Sequence, residues 1–362
     1  MDVQSRLDLI SGIGEEIITR EELLQLVQTN SRPVAYDGFE PSGLAHLPFG
    51  VFRPLLLREL NKAGVRFKLF LADWHAWVNN KMGGDMEKIQ NVGKYFIEVW
   101  KAAGVDTDRV EFIWASEIIK DPEYWKKVIL IAKNTTLNRA TRALTIMGRK
   151  SGEMIETAQY FYPMMQTTDI FQLDVDICQL GLDQRRANMI AREVAPKLGW
   201  KKPVIVSHHM LMGLEGVKTP DGYESNKNMD REISSKMSKS KPSTAVFMHD
   251  SEKEIREKIA KAYCAPKDVE NNPMLDYAKQ IVFRVRNDFL IDRPQKFGGP
   301  LSFSNYPELE EAFRRGEIHP LDLKNSVAGY VNELIRPVRE HFEKNAKARR
   351  LYEFVKKQQI TR

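Results

Sequence analysis

Lys236 and Lys239 stand three residues apart in the run Lys236-Met237-Ser238-Lys239-Ser240. Two ammonium groups on flexible stems, set among small hydroxyl residues, suit the gripping of a polyphosphate. At roughly 4 Å and an effective dielectric near 20, one such charge is worth about 4 kcal/mol against a phosphate charge before desolvation. The surrounding stretch, Thr219 to Ser243, is rich in Ser, Asn, Lys and Gly, which is also the composition of an ordinary solvated loop. A second run far upstream, Tyr36-Asp37-Gly38-Phe39-Glu40-Pro41-Ser42-Gly43-Leu44-Ala45-His46, adds weight. Its glycines let a backbone come close to a ligand, and a helix starting near Pro48 would favour an anion at its N-terminus. A third set is Tyr162, Gln166 and Asp169, spaced four and three apart and so on one helical face. Asp169 ends an apolar run (Phe161, Met164, Met165, Ile170, Phe171) and needs a partner if buried. Periodicity alone leaves equal room for a helix whose polar edge meets solvent.

Together the first two runs resemble the paired signatures of the class I aminoacyl-tRNA synthetases. The Lys236 to Ser240 run reproduces that family's K-M-S-K-S loop. The Tyr36 to Gly43 run, with Leu71-Ala72-Asp73-Trp74-His75-Ala76 after it, is similar to the archaeal and eukaryotic type of tyrosyl-tRNA synthetase. The resemblance extends from about Arg32 to Val338.

It implies ATP-dependent attachment of tyrosine to tRNA(Tyr) through a tyrosyl-adenylate. ATP would arrive with Mg²⁺ as its substrate complex, with no tightly bound cofactor or structural metal. Lys236, Lys239 and His46 are the implied catalytic groups, and Gly38, Gly43, Met237, Ser238 and Ser240 join them around ATP. Tyr36 and Asp169 would bind the substrate's phenolic hydroxyl. Tyr162, Gln166 and Gln184 would hold its α-amino group, and Phe70 and His75 would shape the walls. Phe297, His319 and Asp322 match positions that read the first anticodon base, and Arg142 and Arg185 match positions near the first base pair of the acceptor stem. A homodimer follows from the same resemblance, while a cytoplasmic location away from membranes is expected from an N-terminus unlike a secretory signal and from the lack of a membrane-length apolar run. One departure stands out. The family's H-x-G-H motif reads His46-Leu47-Pro48-Phe49 here, so a phenyl ring replaces the second histidine. That substitution motivates an alternative, a synthetase-like RNA-binding protein without catalysis. Tryptophan activation is a further alternative, against which the Tyr36 and Asp169 pair speaks.

The elements that must position these groups are legible in outline. Pro33 to Tyr36, Phe67 to Ala72, Val110 to Ala115, Val175 to Cys178 and Val204 to Ser207 read as short buried strands. Amphipathic stretches lie between them: Phe49 to Ala63, Asp85 to Ala103, Pro122 to Met147 and Asp183 to Leu198. This alternation predicts an α/β, doubly wound parallel-sheet (Rossmann-like) catalytic domain. Ligands should bind beyond the carboxyl ends of its strands, where Tyr36, Asp73 to His75 and Gly181 to Gln184 fall. The expected layout is an N-terminal helical segment (1–30), a catalytic domain (31–250) and a smaller all-α domain for the anticodon (251–338). The catalytic domain carries a helical insertion (about 118–172) and a mobile phosphate loop (219–243). Residues 339–362 form a basic tail.

The chain of 362 residues is long enough for two cores and has no apolar run of membrane-spanning length. Its N-terminus does not read as a secretory signal. Cys178 and Cys264 are its only cysteines, too few and too separated for a disulfide framework. From Arg336 to Arg362 nine basic residues face three acidic ones, an excess equal to the whole chain's +6. A solvated basic helix or a phosphate-contacting arm would both look like this.

Overall fold

The computed structural model describes residues 1–148, 156–224 and 226–358. Residues 149–155 of the expected insertion, Ser225 of the expected phosphate loop and residues 359–362 of the tail, Arg362 among them, lie outside the described residues. Strands β1 (Glu16–Ile18), β2 (Val34–Phe39), β3 (Arg66–Leu71), β4 (Val110–Trp114), β5 (Ile177–Cys178) and β6 (Val204–Ser207) make one sheet in the order β1-β6-β5-β2-β3-β4. All neighbours are parallel except β1, which runs antiparallel to β6. Helices Arg53–Lys62, Met86–Ala102, Phe161–Gln172 and Arg185–Leu198 lie between successive parallel strands. Each exists because an apolar stripe at helical spacing must be covered. In Met86–Ala102 the stripe is Ile89, Val92, Phe96, Val99 and Trp100, and Asp85 caps the first turn by accepting from Lys88 N.

The sheet order reverses between β2 and β5, which pair directly through Ala35 with Ile177 and Tyr36 with Cys178. A crevice opens beyond the carboxyl ends of two strands whose connections leave in opposite directions. Glu40 follows β2 there, and Gln179 follows β5. Among the described residues no helix is long and apolar enough to cross a membrane.

Three features differ from the sequence reading. The N-terminal segment is not wholly helical, because Glu16–Ile18 adds the edge strand β1. Its partner β6 is remote in sequence, and three residues carry no local signal of pairing. The region beyond Ser251 is not purely helical either: β7 (Phe289–Ile291) and β8 (Leu301–Phe303) form an antiparallel hairpin. Pro294, Pro300, Gly298 and Gly299 hide strands so short. Finally, the helix Pro320–Lys344 passes unbroken through the expected boundary at Val338 and Arg339, with Pro337 inside it. The helix Ala346–Lys356 then packs against Met86–Ala102. The apolar core is continuous from Ile10 to Val355 across residue 250.

Candidate active site

Five residues expected to surround an amino acid converge beside the β2–β5 crevice. Tyr36 is 1% exposed on β2, and Asp169 is 1% exposed on the helix Phe161–Gln172. Tyr162 and Gln166 share that helix, and Gln184 sits in the turn Leu182–Gln184 that follows β5. The Tyr36 hydroxyl is buried with no hydrogen-bond partner, as are both ring nitrogens of His75. Burial pushes the Tyr36 phenol well above its usual pKa, and the nearby Cys178 and Asp169 add to it, so it stays protonated. Unpartnered buried polar groups cost about 1–3 kcal/mol each, so Tyr36 and His75 call for a partner that the described residues do not supply.

Asp169 has a resident partner that the sequence did not suggest: the Tyr124 hydroxyl donates to its Oδ1 at 2.8 Å. Its Oδ2 lies 3.1 Å from His75 Nε2, in an orientation that makes no hydrogen bond. A carboxylate has about four lone-pair sites, so Asp169 can still accept from an incoming hydroxyl. The side chains around Tyr162 and Gln166 are equally ordered. Tyr162 Oη donates to Glu40 Oε1 at 2.9 Å, Gln166 Nε2 donates to Gln184 Oε1 at 3.1 Å, and Gln184 Nε2 donates to Ile146 O at 3.2 Å. This chain of amides fixes the orientation of the Gln166 and Gln184 side chains. His75 is edge-on to Tyr162 at 5.0 Å and to Phe70 at 5.9 Å.

The two signature runs also meet. Lys239 Nζ donates to Ser42 Oγ at 3.2 Å and lies 4.9 Å above the Phe96 ring. Lys236 pairs with Asp183, a carboxylate absent from the expected set. Met237 is buried, and its N–H donates to Leu211 O at 2.8 Å, which docks the loop on the segment after β6. Ser238 and Ser240 bond each other through their hydroxyls at 2.9 Å. Gly43 has φ 117°, a left-handed conformation that a side chain would strain. At Gly38 a Cβ would touch the Phe70 ring at 3.4 Å. Half-buried Lys239 is pushed down to about 7 by desolvation and by the Lys81 charge, with Glu40 opposing. Burial, Lys239 and Lys236 hold His46 well below its usual pKa, so it acts as a neutral ring whose buried Nδ1 lacks a partner.

The helix start near Pro48 does not offer free donors to an anion. Phe49 N and Gly50 N both donate to His46 O at 3.0 Å, and Leu47 N donates to Val246 O at 2.8 Å. Phe49 itself is a core residue. Its ring is 4.3 Å from those of Phe96 and Trp100 and 5.1 Å from that of Phe39, and Trp100 Nε1 donates to its carbonyl at 3.2 Å. Lys81, 3.6 Å from Glu40, is a third cation near the crevice that the sequence reading missed.

Arg142 and Arg185 come together with Arg139 and Arg186 on the wall of one pocket of about 530 Å³. Glu16 on β1 holds Arg185 at 2.9 Å, and Glu224 holds Arg186 at 3.1 Å. In the helical part, Phe297 is 60% exposed in the loop joining β7 to β8. Arg293 ties that loop, through Gly299 O at 2.7 Å, to Glu317 O at 3.0 Å. His319 follows two residues later and caps the helix Pro320–Lys344 by accepting from Leu321 N at 3.2 Å. Asp322 lies in the first turn of that helix. Exposed Phe297 and this helix start therefore share one end of the molecule.

A Rossmann-like sheet with a lysine loop and a cluster of buried polar side chains at its switch point defines a nucleotide-using enzyme class. Residues 28–222 and 226–336 match the family model described as tRNA synthetases class I (W and Y), and the chain belongs to that family. Tyrosine–tRNA ligase of Thermococcus kodakarensis is 46% identical over 95% of this chain and 96% of its own length. The cytoplasmic tyrosine–tRNA ligase 1 of Arabidopsis thaliana is 43% identical over 100% of this chain and 90% of its own. Among solved structures, tyrosyl-tRNA synthetase of Pyrococcus horikoshii in complex with L-tyrosine is 42% identical, with a TM-score of 0.89 over 98% of this chain and 100% of that one. A tryptophanyl-tRNA synthetase from Encephalitozoon cuniculi is 18% identical at a TM-score of 0.68, a likeness of fold alone.

Proposed function

We infer that this chain attaches tyrosine to tRNA(Tyr), activating the amino acid with ATP first. The single observation that carries this reading is the buried pair at the pocket floor, an unpartnered Tyr36 hydroxyl beside the Asp169 carboxylate. A phenolic O–H donates to Asp169 and accepts from Tyr36, so it completes both. Phenylalanine would leave them unfilled. An indole only donates and would leave the Tyr36 donor unused.

In the first step a carboxylate oxygen of tyrosine attacks the α-phosphorus of ATP. The bond to the bridging oxygen breaks and pyrophosphate leaves. In the second, the terminal ribose hydroxyl of tRNA attacks the activated carbonyl, and AMP leaves. No side-chain nucleophile is required, so rate comes from positioning and charge stabilisation. Tyr162, Gln166 and Gln184 orient the α-amino group and with it the attacking carboxylate. Lys236 and Lys239 neutralise the departing pyrophosphate, and Mg²⁺ enters with ATP as part of the substrate. His46, held neutral, donates a hydrogen bond rather than a charge. Lys81 supplies a cation near the role that Phe49 vacates. Gly38, Gly43, Met237, Ser238 and Ser240 shape the ATP cleft.

Arg142 and Arg185 take acceptor-stem phosphates or base edges, and Phe297, His319 and Asp322 face the first anticodon base. A symmetric dimer is supported by Trp77, Ile129, Leu137 and Phe161, apolar side chains left exposed in and beside the insertion. Two buried free thiols, Cys178 and Cys264, suit a reducing cytoplasm.

Pyrophosphate exchange with tyrosine, tryptophan and phenylalanine tests the reading. Tyrosine-dependent exchange is expected. Exchange with tryptophan, or RNA binding with no exchange at all, rejects it.

A further inference from the structure

The phosphate loop does not stand on its own. Its Lys236 pairs across with Met212 in an antiparallel bridge, Gly213 N donates to Ser235 O at 2.9 Å, and Met237 N donates to Leu211 O at 2.8 Å. Residues 210–213 are therefore its seat, and two carboxylates hold that seat from opposite sides. Glu232, on the helix Lys227–Ser235 that leads into the loop, accepts from Met210 N at 3.1 Å. Asp276, on the helix Pro273–Tyr277 of the C-terminal part, accepts from Met212 N at 2.9 Å, and the next residue, Tyr277, donates its hydroxyl to Met212 O at 2.7 Å.

His209 lies between these carboxylates. Its Nδ1 is 3.1 Å from Glu232 Oε1 and 3.8 Å from Glu15 Oε2, and its Nε2 is 2.8 Å from Asp276 Oδ1. These are ion-pair contacts, since Nε2 makes no aligned hydrogen bond; an imidazolium is attracted to the carboxylates on both sides, whereas a neutral ring offers charge to neither. Burial opposes the charge, but Asp276 and then Glu232 outweigh it and raise the ring's pKa well above the usual value. The neighbouring His208 goes the other way, held neutral by burial and by the charges of Arg53 and His209.

We propose that His209 is a positioning residue for amino-acid activation, a cationic rivet that fixes the seat of the Lys236–Ser240 loop between Glu232 and Asp276 and so couples the C-terminal helical part to the phosphate grip. Removing it leaves Glu232 and Asp276 facing each other without a counter-charge. The seat then shifts, and Lys236 and Lys239 with it. The tyrosine pocket, built from other elements, is untouched. The proposal rests on the reading of this loop as the pyrophosphate grip, and exchange by the unaltered chain tests that reading separately.

The test uses the full chain with His209→Asn, Glu232→Gln, Asp276→Asn and the double variant His209→Asn/Asp276→Asn. Expected for His209→Asn is a tenfold or larger fall in kcat of tyrosine-dependent pyrophosphate exchange, with KM for tyrosine within twofold. The double variant should be no slower than His209→Asn, because one rivet is broken only once. A lower melting temperature with kcat unchanged would mean that His209 merely stabilises the fold, and would overturn the proposal. So would strictly additive losses in the double variant, or zinc retained stoichiometrically by the unaltered chain and lost with His209. Should His209→Asn fail to fold, Glu232→Gln and Asp276→Asn decide the matter: both slowing kcat supports the rivet, and neither doing so overturns it.

Discussion

The Tyr124 hydroxyl donates to Asp169 at 2.8 Å, so the acid at the pocket floor is oriented before any substrate arrives. Ordering the acceptor in advance removes a reorganisation cost from binding. Tyr36, by contrast, waits with an unpartnered hydroxyl. Tyr36→Phe should therefore lower kcat/KM for tyrosine by about 10- to 100-fold, the worth of one buried hydrogen bond of roughly 1.4–2.8 kcal/mol. It should leave phenylalanine nearly unaffected, so the tyrosine-to-phenylalanine ratio shrinks. Tyr124→Phe should also lower kcat/KM for tyrosine, by freeing the carboxylate to turn. Exchange kinetics with both amino acids measure each effect, and an unchanged ratio in Tyr36→Phe would remove the pocket assignment.

Restoring the family's second histidine should not help. Phe49 packs against Phe39, Phe96 and Trp100 and is buried. An imidazole there would bury polar nitrogens among aromatic rings at a cost of about 1–3 kcal/mol. Phe49→His is expected to lower the melting temperature and to leave the exchange rate no faster. A gain in rate would show that position 49 still addresses ATP.

Lys239 gives the activation step a pH signature. Its folded pKa of about 7 lies below the ordinary 10.5. In the free enzyme the ammonium is lost as pH rises through about 7, so kcat/KM for ATP should decline above that point. Bound phosphates favour the cation, so kcat should be flatter. Stability runs the other way. Between the two values the unfolded chain binds more protons, so the Lys239 contribution to stability rises with pH across that window. Lys239→Met should abolish both trends, one read by kinetics and the other by denaturation at several pH values.

The arginine pocket separates the two half-reactions. Arg142 and Arg185 line it away from the lysine loop, with Arg185 anchored by Glu16. Arg142→Ala should leave pyrophosphate exchange unchanged and reduce tRNA charging about tenfold or more. If the contact is to phosphate, the salt dependence of tRNA affinity should also lose about one unit of slope. Equal losses in exchange and charging would place Arg142 in the amino-acid site instead.

Much of this site was legible because its residues are chemically unusual for their surroundings. Asp169 and Gln166 interrupt an apolar helix, and Lys236 and Lys239 punctuate a polar loop. The five parallel strands were legible because burial on both faces forces continuous apolar runs. What stayed hidden depends on contacts remote in sequence. Tyr124 reads as one more core aromatic until its hydroxyl meets Asp169. Asp183 reads as a helix-start acid until Lys236 folds over it. Glu15 and Glu16 look like surface charge until β1 docks on β6 and delivers them to His209 and Arg185. Phe49 was legible as a departure but not as a core residue, because only the fold places it among Phe39, Phe96 and Trp100.

The basic C-terminal stretch raises the last prediction. Basicity suggests an RNA-contacting arm, but the helix Ala346–Lys356 has structural work on its inner face. Tyr352 stacks on His249 at 3.8 Å, His249 Nε2 is 2.9 Å from the Tyr95 hydroxyl, and that hydroxyl accepts from Ala45 N at 3.2 Å. Burial holds His249 down to about 3, so near neutrality its neutral ring can accept a hydrogen bond from the Tyr95 hydroxyl. The chain of contacts ends one residue before His46, on the backbone of the nucleotide signature. Tyr352→Ala should therefore lower the melting temperature and slow adenylate formation in the absence of tRNA, by several-fold. A helix serving only as an RNA arm would leave that tRNA-free step untouched. Measuring pyrophosphate exchange and the salt slope of tRNA binding on the same variant separates the two roles. A loss confined to the salt slope would return the helix to the arm reading.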